Sequence, residues 1–156
     1  MSHYRDDRST EAYPRVPADD VPHARTWMSW PSRRGVWGLR LGGVQEDIAL
    51  IARTVAEFEP VVMCAPDDWT ADKARARCGS AVEVITAIPT DDLWMRDIAP
   101  VFRRDGYGGR RHGDGHREQP GQRAAFPGRE VVQLDVDRLM TGGGGIHCST
   151  MHEPLP

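Results

Sequence analysis

The chain has 156 residues, 20 Lys and Arg against 23 Asp and Glu, and a formal net charge of −3. A chain of this length is one domain's worth and buries at most roughly 70% of the surface it exposes when unfolded. Its slightly acidic balance excludes a general nucleic-acid or anionic-membrane partner, which would need an excess of basic side chains. No stretch approaches the ~20 consecutive apolar residues of a membrane span, and no apolar N-terminal run reads as a signal peptide, so a cytoplasmic protein is expected. Cys64, Cys78 and Cys148 make an odd set without a paired framework, as expected of reduced thiols.

Residues 1–21 carry Arg5, Asp6, Asp7, Arg8, Asp19 and Asp20 among prolines and small polar residues, without an apolar period; they read as a disordered tail. An α/β region is predicted over 22–102. Thr26 to Trp30 is an aromatic-rich strand closed by Pro31. Val44, Ile48, Ile51, Val55 and Phe58 recur at spacings of four, three, four and three, which predicts an amphipathic helix ended by Pro60. Val61 to Ala65 follows as an apolar strand. Pro66-Asp67-Asp68 signals the start of a helix over Trp69 to Arg77, closed by Gly79, and Val82 to Thr86 is a third strand. The β-α-β order predicts a sheet covered by helices. Residues 103–124, rich in Gly, Arg and His, read as a flexible linker whose Arg103, Arg104, Arg110 and Arg111 are solvated; an Arg-rich RNA-binding arm is the alternative. Residues 125–156 are read as a C-terminal strand, Val131 to Val136, followed by a glycine-rich turn carrying Cys148.

Two segments carry chemistry. In Asp91-Asp92-Leu93-Trp94-Met95-Arg96-Asp97, an aromatic face beside a carboxylate suits a planar cation, by cation–π attraction and paired N–H contacts. The ordinary alternatives are that Asp92 or Asp97 caps a turn, or that Arg96 pairs with a neighbouring acid. In Gly142-Gly143-Gly144-Gly145-Ile146-His147-Cys148, the glycines allow positive φ and close backbone approach, a freedom expected to serve a ligand and not packing. Cys148 after that turn and beside His147 is a candidate nucleophile, whereas a buried apolar role is the default for a lone cysteine. Cys64 in a strand and Cys78 at a helix end are expected to be structural. The glycine run lacks the Lys and Ser or Thr of a phosphate-binding loop, and His112, His116, His147 and Cys148 lack the close cysteine pairs of a zinc site, so neither cofactor nor metal is expected.

Pro22 to Pro31, Phe58-Glu59-Pro60-Val61, Asp92 to Asp97 and Gly142 to Thr150 together resemble the agmatine deiminase family and the related bacterial peptidylarginine deiminases, in that family's order. The resemblance implies a propeller of α/β blades of the ββαβ pentein type. It also implies hydrolysis of a guanidinium, that of agmatine, to a ureido product (N-carbamoylputrescine) and ammonia, a step toward putrescine, with no cofactor. A protein-arginine substrate is the alternative. Carried over residue by residue, Cys148 attacks the guanidinium carbon, Asp97 holds guanidinium nitrogens, Trp94 packs beside the substrate and Gly145 lines its site. His116, in Asp114-Gly115-His116-Arg117-Glu118, echoes the family's acid/base histidine.

Members of the resembled family are longer, and the segment between Phe102 and Phe126 stands where most of their propeller lies. A partial propeller is therefore expected, with exposed blade faces that favour self-association. An inactive remnant that at most binds guanidinium ligands is the competing reading. If the family geometry holds, the Val131 to Val136 strand lies beside the first blade and delivers Cys148 to Asp97.

Overall fold

The structure is a computed structural model that describes residues 16–19, 21–102 and 131–156. The linker assigned to 103–124, most of the 1–21 tail and His116 lie outside the described residues. Among the described residues four strands form one mixed sheet in the order β3-β2-β1-β4. They are β1 (His23–Ser29), β2 (Val61–Cys64), β3 (Val82–Ile85) and β4 (Thr150–Pro154). β1 pairs with β2, and β2 with β3, in parallel; β4 runs antiparallel along the other side of β1.

A short helix, α1 (Arg34–Trp37), and a 3-10 turn precede α2 (Leu41–Val55), the crossover from β1 to β2. The predicted stripe is its buried side: Val44, Ile48 and Ile51 are fully buried, joined by Ala49 and Ala52. Phe58 departs from the prediction. The helix stops at Val55, and the turn before Pro60 swings Phe58 outward, leaving it 70% exposed. α3 (Asp68–Cys78) connects β2 to β3 and begins as read: the Asp67 carboxylate accepts the Thr70 N–H at 2.8 Å, satisfying a free donor of the first turn. α2 and α3 pack on each other and on the sheet, enclosing Met28, Trp30, Met63, Ala71, Ala74 and Val82.

The C-terminal segment corrects a prediction. Val131 to Val136 is not a strand; it runs irregularly into α5 (Asp137–Met140), and only Val136 is buried. Alternating apolar residues there match strand periodicity, but the neighbouring place on β1 is taken by β4, which follows α6 (Ile146–Ser149). Between β3 and residue 102 stands α4 (Met95–Ile98). Among the described residues no helix is long and apolar enough to cross a membrane.

Candidate active site

The two chemistry-bearing segments meet. α4 carries Asp97, α6 carries Cys148, and the two helices pack against each other and against β4. β4 does this by pairing with β1 from Met28–Thr150 to His23–Pro154, which fixes where the residues just before Thr150 must sit. The delivery of Cys148 thus falls to the antiparallel β4 and not to Val131–Val136.

Arg96 ties the segments together. Its Nε donates to the His147 carbonyl at 3.2 Å, its Nη1 to Asp19 Oδ1 at 2.9 Å, and its Nη2 to His152 Nδ1 at 3.2 Å. The His147 imidazole donates through Nε2 to the other oxygen of Asp19 at 3.0 Å. One carboxylate therefore bridges the residue before Asp97 and the residue before Cys148. Burial pushes the Asp19 carboxyl up, but hydrogen bonds from His147 and Arg96 outweigh it and hold the group below its ordinary 3.8. Composition had assigned Asp19 to the tail. Nothing in its local sequence marks it, because its partners lie 77 and 128 residues away.

Asp92 Oδ1 accepts the N–H of its own neighbour Leu93 at 2.7 Å, and the start of α4 at Trp94 has no side-chain cap. Arg96 pairs with the distant Asp19 and not with a neighbouring acid. Asp97 stands exposed on α4, and its carboxylate makes no hydrogen bond or ion pair among the described residues. Cys148 is half-buried, while Cys64 and Cys78 are buried. Burial pushes both of those thiols up to about 11, so near neutrality they are protonated and inert.

The glycine turn is built for close packing, which revises the expectation that its freedom serves only a ligand. A Cβ on Gly142 would stand 2.1 Å from the Trp37 ring, and one on Gly144 would stand 2.4 Å from the Trp94 ring. Gly143 adopts φ 91°, the left-handed region. Trp37 and Trp94 lie 6.2 Å apart at 56° and rest on this turn. Trp94 is therefore partly buried between the core and the turn. Gly145 differs: its φ is −142°, and a Cβ there would meet no atom of the described residues within 4 Å, so among them neither conformation nor packing requires a glycine.

Beside the Arg96 hub, His23, Glu59 and His152 offer ligand atoms within 4.8 Å of one another. The two imidazoles are stacked, with centroids 4.3 Å apart and planes 10° apart, so their in-plane lone pairs run side by side and do not converge on one ion. His23 also spends both nitrogens, on Glu59 at 2.8 Å and on the Asp19 carbonyl at 2.9 Å. Burial, then His23 and Arg96, lower the His152 pKa and favour its neutral form, which accepts from Arg96. The trio is a hydrogen-bonded stack that joins β1, β4 and the Arg96 hub. With Asp19, Arg96 and Phe102, His23 and His152 line a small cavity of about 50 Å³.

The family model described as Porphyromonas-type peptidyl-arginine deiminase matches residues 15–119 and 114–154. The chain is 34% identical over 151 residues to the agmatine deiminase of Pseudomonas aeruginosa (strain LESB58), covering 85% of this chain and 40% of that protein. It is 31% identical over 149 residues to the agmatine deiminase of Stutzerimonas stutzeri (strain A1501), covering 88% of this chain and 40% of that protein. The X-ray structure of a "putative agmatine deiminase" superposes with a TM-score of 0.53 at 30% identity, over 58% of this chain and 26% of that one. The chain thus spans about two fifths of the length of these curated relatives. With a family model matched along most of its length and the motif segments packed together, the chain belongs to the Porphyromonas-type peptidyl-arginine deiminase family.

Proposed function

We propose that this chain acts on a guanidinium group, that of agmatine, and hydrolyses it to N-carbamoylputrescine and ammonia without metal or organic cofactor. The observation that carries this is the packing of α4 on α6, which sets the exposed Asp97 carboxylate on the helix that packs against the one holding Cys148. Asp97 binds guanidinium N–H groups and keeps the cation planar and oriented. The Cys148 thiolate adds to the central carbon, and the tetrahedral adduct breaks a C–N bond to release ammonia, leaving a thiouronium on sulfur. Water then adds to that carbon, and the C–S bond breaks to give the ureido product and the free thiol.

Leaving ammonia must gain a proton and attacking water must lose one. His116 is the residue proposed for both transfers, on the strength of its Asp-Gly-His setting. Open space beside Gly145 leaves room for the substrate chain at the start of α6. Trp94, resting on the glycine turn, supplies an aromatic wall at the same place.

Ammonia release from agmatine by the purified chain, compared with Cys148→Ser, tests the reading. Wild type is expected to turn over and the variant to fall to the buffer rate; equal rates in the two would refute catalysis by Cys148. Peptidyl arginine and free arginine assayed in parallel decide the substrate.

One observation favours a second reading, a guanidinium-binding remnant without turnover: the chain spans 40% of the length of its relatives. Calorimetric titration with agmatine separates the two, because heat of binding without ammonia release belongs to the remnant alone.

A further inference from the structure

Asp47 is a charged residue in the wrong place for a simple core. It sits on the apolar side of α2, between Val44 and Ile48, and is fully buried. Burying a carboxylate is costly unless it is paired and hydrogen-bonded, and a whole buried ion pair replaced by well-packed apolar groups is often at least as stable. A buried ion pair of this kind is better suited to fixing register than to adding stability.

The partners show which register is fixed. Asp47 Oδ2 accepts the Leu139 N–H at 2.8 Å, a free donor in the first turn of α5. Its Oδ1 accepts no hydrogen bond among the described residues and meets the half-exposed Arg138 guanidinium as a close charge contact alone. Gly43 stands four residues earlier on the same face of α2, and a Cβ there would lie 2.7 Å from Arg138 Cδ. Gly43 thus opens a slot for the Arg138 stem and Asp47 grips its head. Both contacts act on α5, which leads directly into the Gly142–Gly145 turn and Cys148.

We infer that Asp47 is a positioning residue: with Gly43 it clamps α5 to α2 and so holds the glycine turn closed under Trp37 and Trp94, setting the exposure of Cys148. The inference rests on the reading of Cys148 as the nucleophile, but its readout needs no turnover. Neither Asp47 nor Gly43 touches the candidate substrate site; each acts through Arg138 and Leu139.

The test is the rate at which iodoacetamide alkylates Cys148 in the full chain, resolved by mass spectrometry from Cys64 and Cys78, alongside the urea midpoint. In Asp47→Leu and in Gly43→Ala, Cys148 labelling is expected to rise about tenfold or more, as when a charge-assisted hydrogen bond is lost from a locally opening segment. The urea midpoint of Asp47→Leu should fall modestly, because the buried Leu139 N–H loses its acceptor, and the rise in labelling should exceed what that fall accounts for. Asp47→Asn keeps an oxygen for the Leu139 N–H and should return most of the protection. Should Asp47→Leu fail to fold, Gly43→Ala carries the test, because it shifts Arg138 and leaves Asp47 in place. Wild-type labelling rates in Gly43→Ala and in every folded Asp47 variant overturn the inference. So does a rise that merely tracks lost global stability, since that would mark an ordinary core residue. If wild-type chain releases no ammonia from agmatine while the labelling pattern holds, the clamp stands and the catalytic reading falls.

Discussion

At the residue scale, the site is governed by a few side chains whose environment decides their chemistry. Gly144 lies under the Trp94 ring with no room for a methyl group. Gly144→Ala must push the ring or the turn aside, and overpacking of this kind costs about 1–3 kcal/mol. Urea denaturation should show that loss, and the change in Trp94 packing should appear in the fluorescence of the folded state. Cys64 and Cys78 make a different prediction. Burial raises each folded-state thiol pKa from the ordinary 9.0 to about 11, so both stay protonated in the fold while the unfolded chain ionises earlier. Their contribution to stability is complete below pH 9 and is lost as pH rises toward 11. Denaturation midpoints should therefore fall across that interval, and a Cys64→Ala, Cys78→Ala double variant should show a shallower fall.

At the scale of elements, α2 shows how far periodicity carries. Its apolar stripe is the core from Val44 to Ile51, because a helix of 3.6 residues per turn returns those positions to one face. The same spacing extended the stripe to Phe58, yet the helix ends three residues sooner and the ring faces water. Ile51→Ala should cost about 2–5 kcal/mol, as for a fully buried aliphatic truncated in a packed core. Phe58→Ser should stay within about 0.5 kcal/mol of wild type, as for an exposed residue. Comparable losses in the two variants would mean that the stripe continues to Phe58 after all. α4 and α6 are single turns, too short to hold themselves; they stand because Arg96, Asp19 and His147 link them and because β4 fixes the exit from α6.

At the scale of the whole molecule, the sheet of the described residues has β3 and β4 at its edges, and Leu39, Phe58 and Trp69 project into solvent at 95%, 70% and 67% exposure. The chain spans two fifths of the length of its relatives, and we propose that it is part of a propeller of α/β blades whose uncovered faces would favour self-association. Apolar area left in water costs on the order of 25 cal/mol per Å² relative to burial, and edge strands offer unpaired backbone groups. Dimers or larger species are therefore expected by light scattering at micromolar concentration. A monodisperse monomer with a sharp cooperative melt would count against the partial propeller.

Local order carried the β1-α2-β2-α3-β3 succession and the start of α3 at Asp67, because short-range sterics, capping and periodicity act within a few residues and are written along the chain. The four motif segments pointed to the family for the same reason: each is a contiguous run. Tertiary structure alone decided that β4 and not Val131–Val136 extends the sheet, since strand-like alternation cannot say which of two segments finds a free edge. It alone decided that Gly142 and Gly144 make room for Trp37 and Trp94, and that Asp19 and Asp47 hold the site from outside both motifs. A single Asp looks alike in a tail, on a surface or in a core. What distinguishes these two are partners 77 to 128 residues away for Asp19 and 92 away for Asp47, and such contacts exist only once the chain has folded.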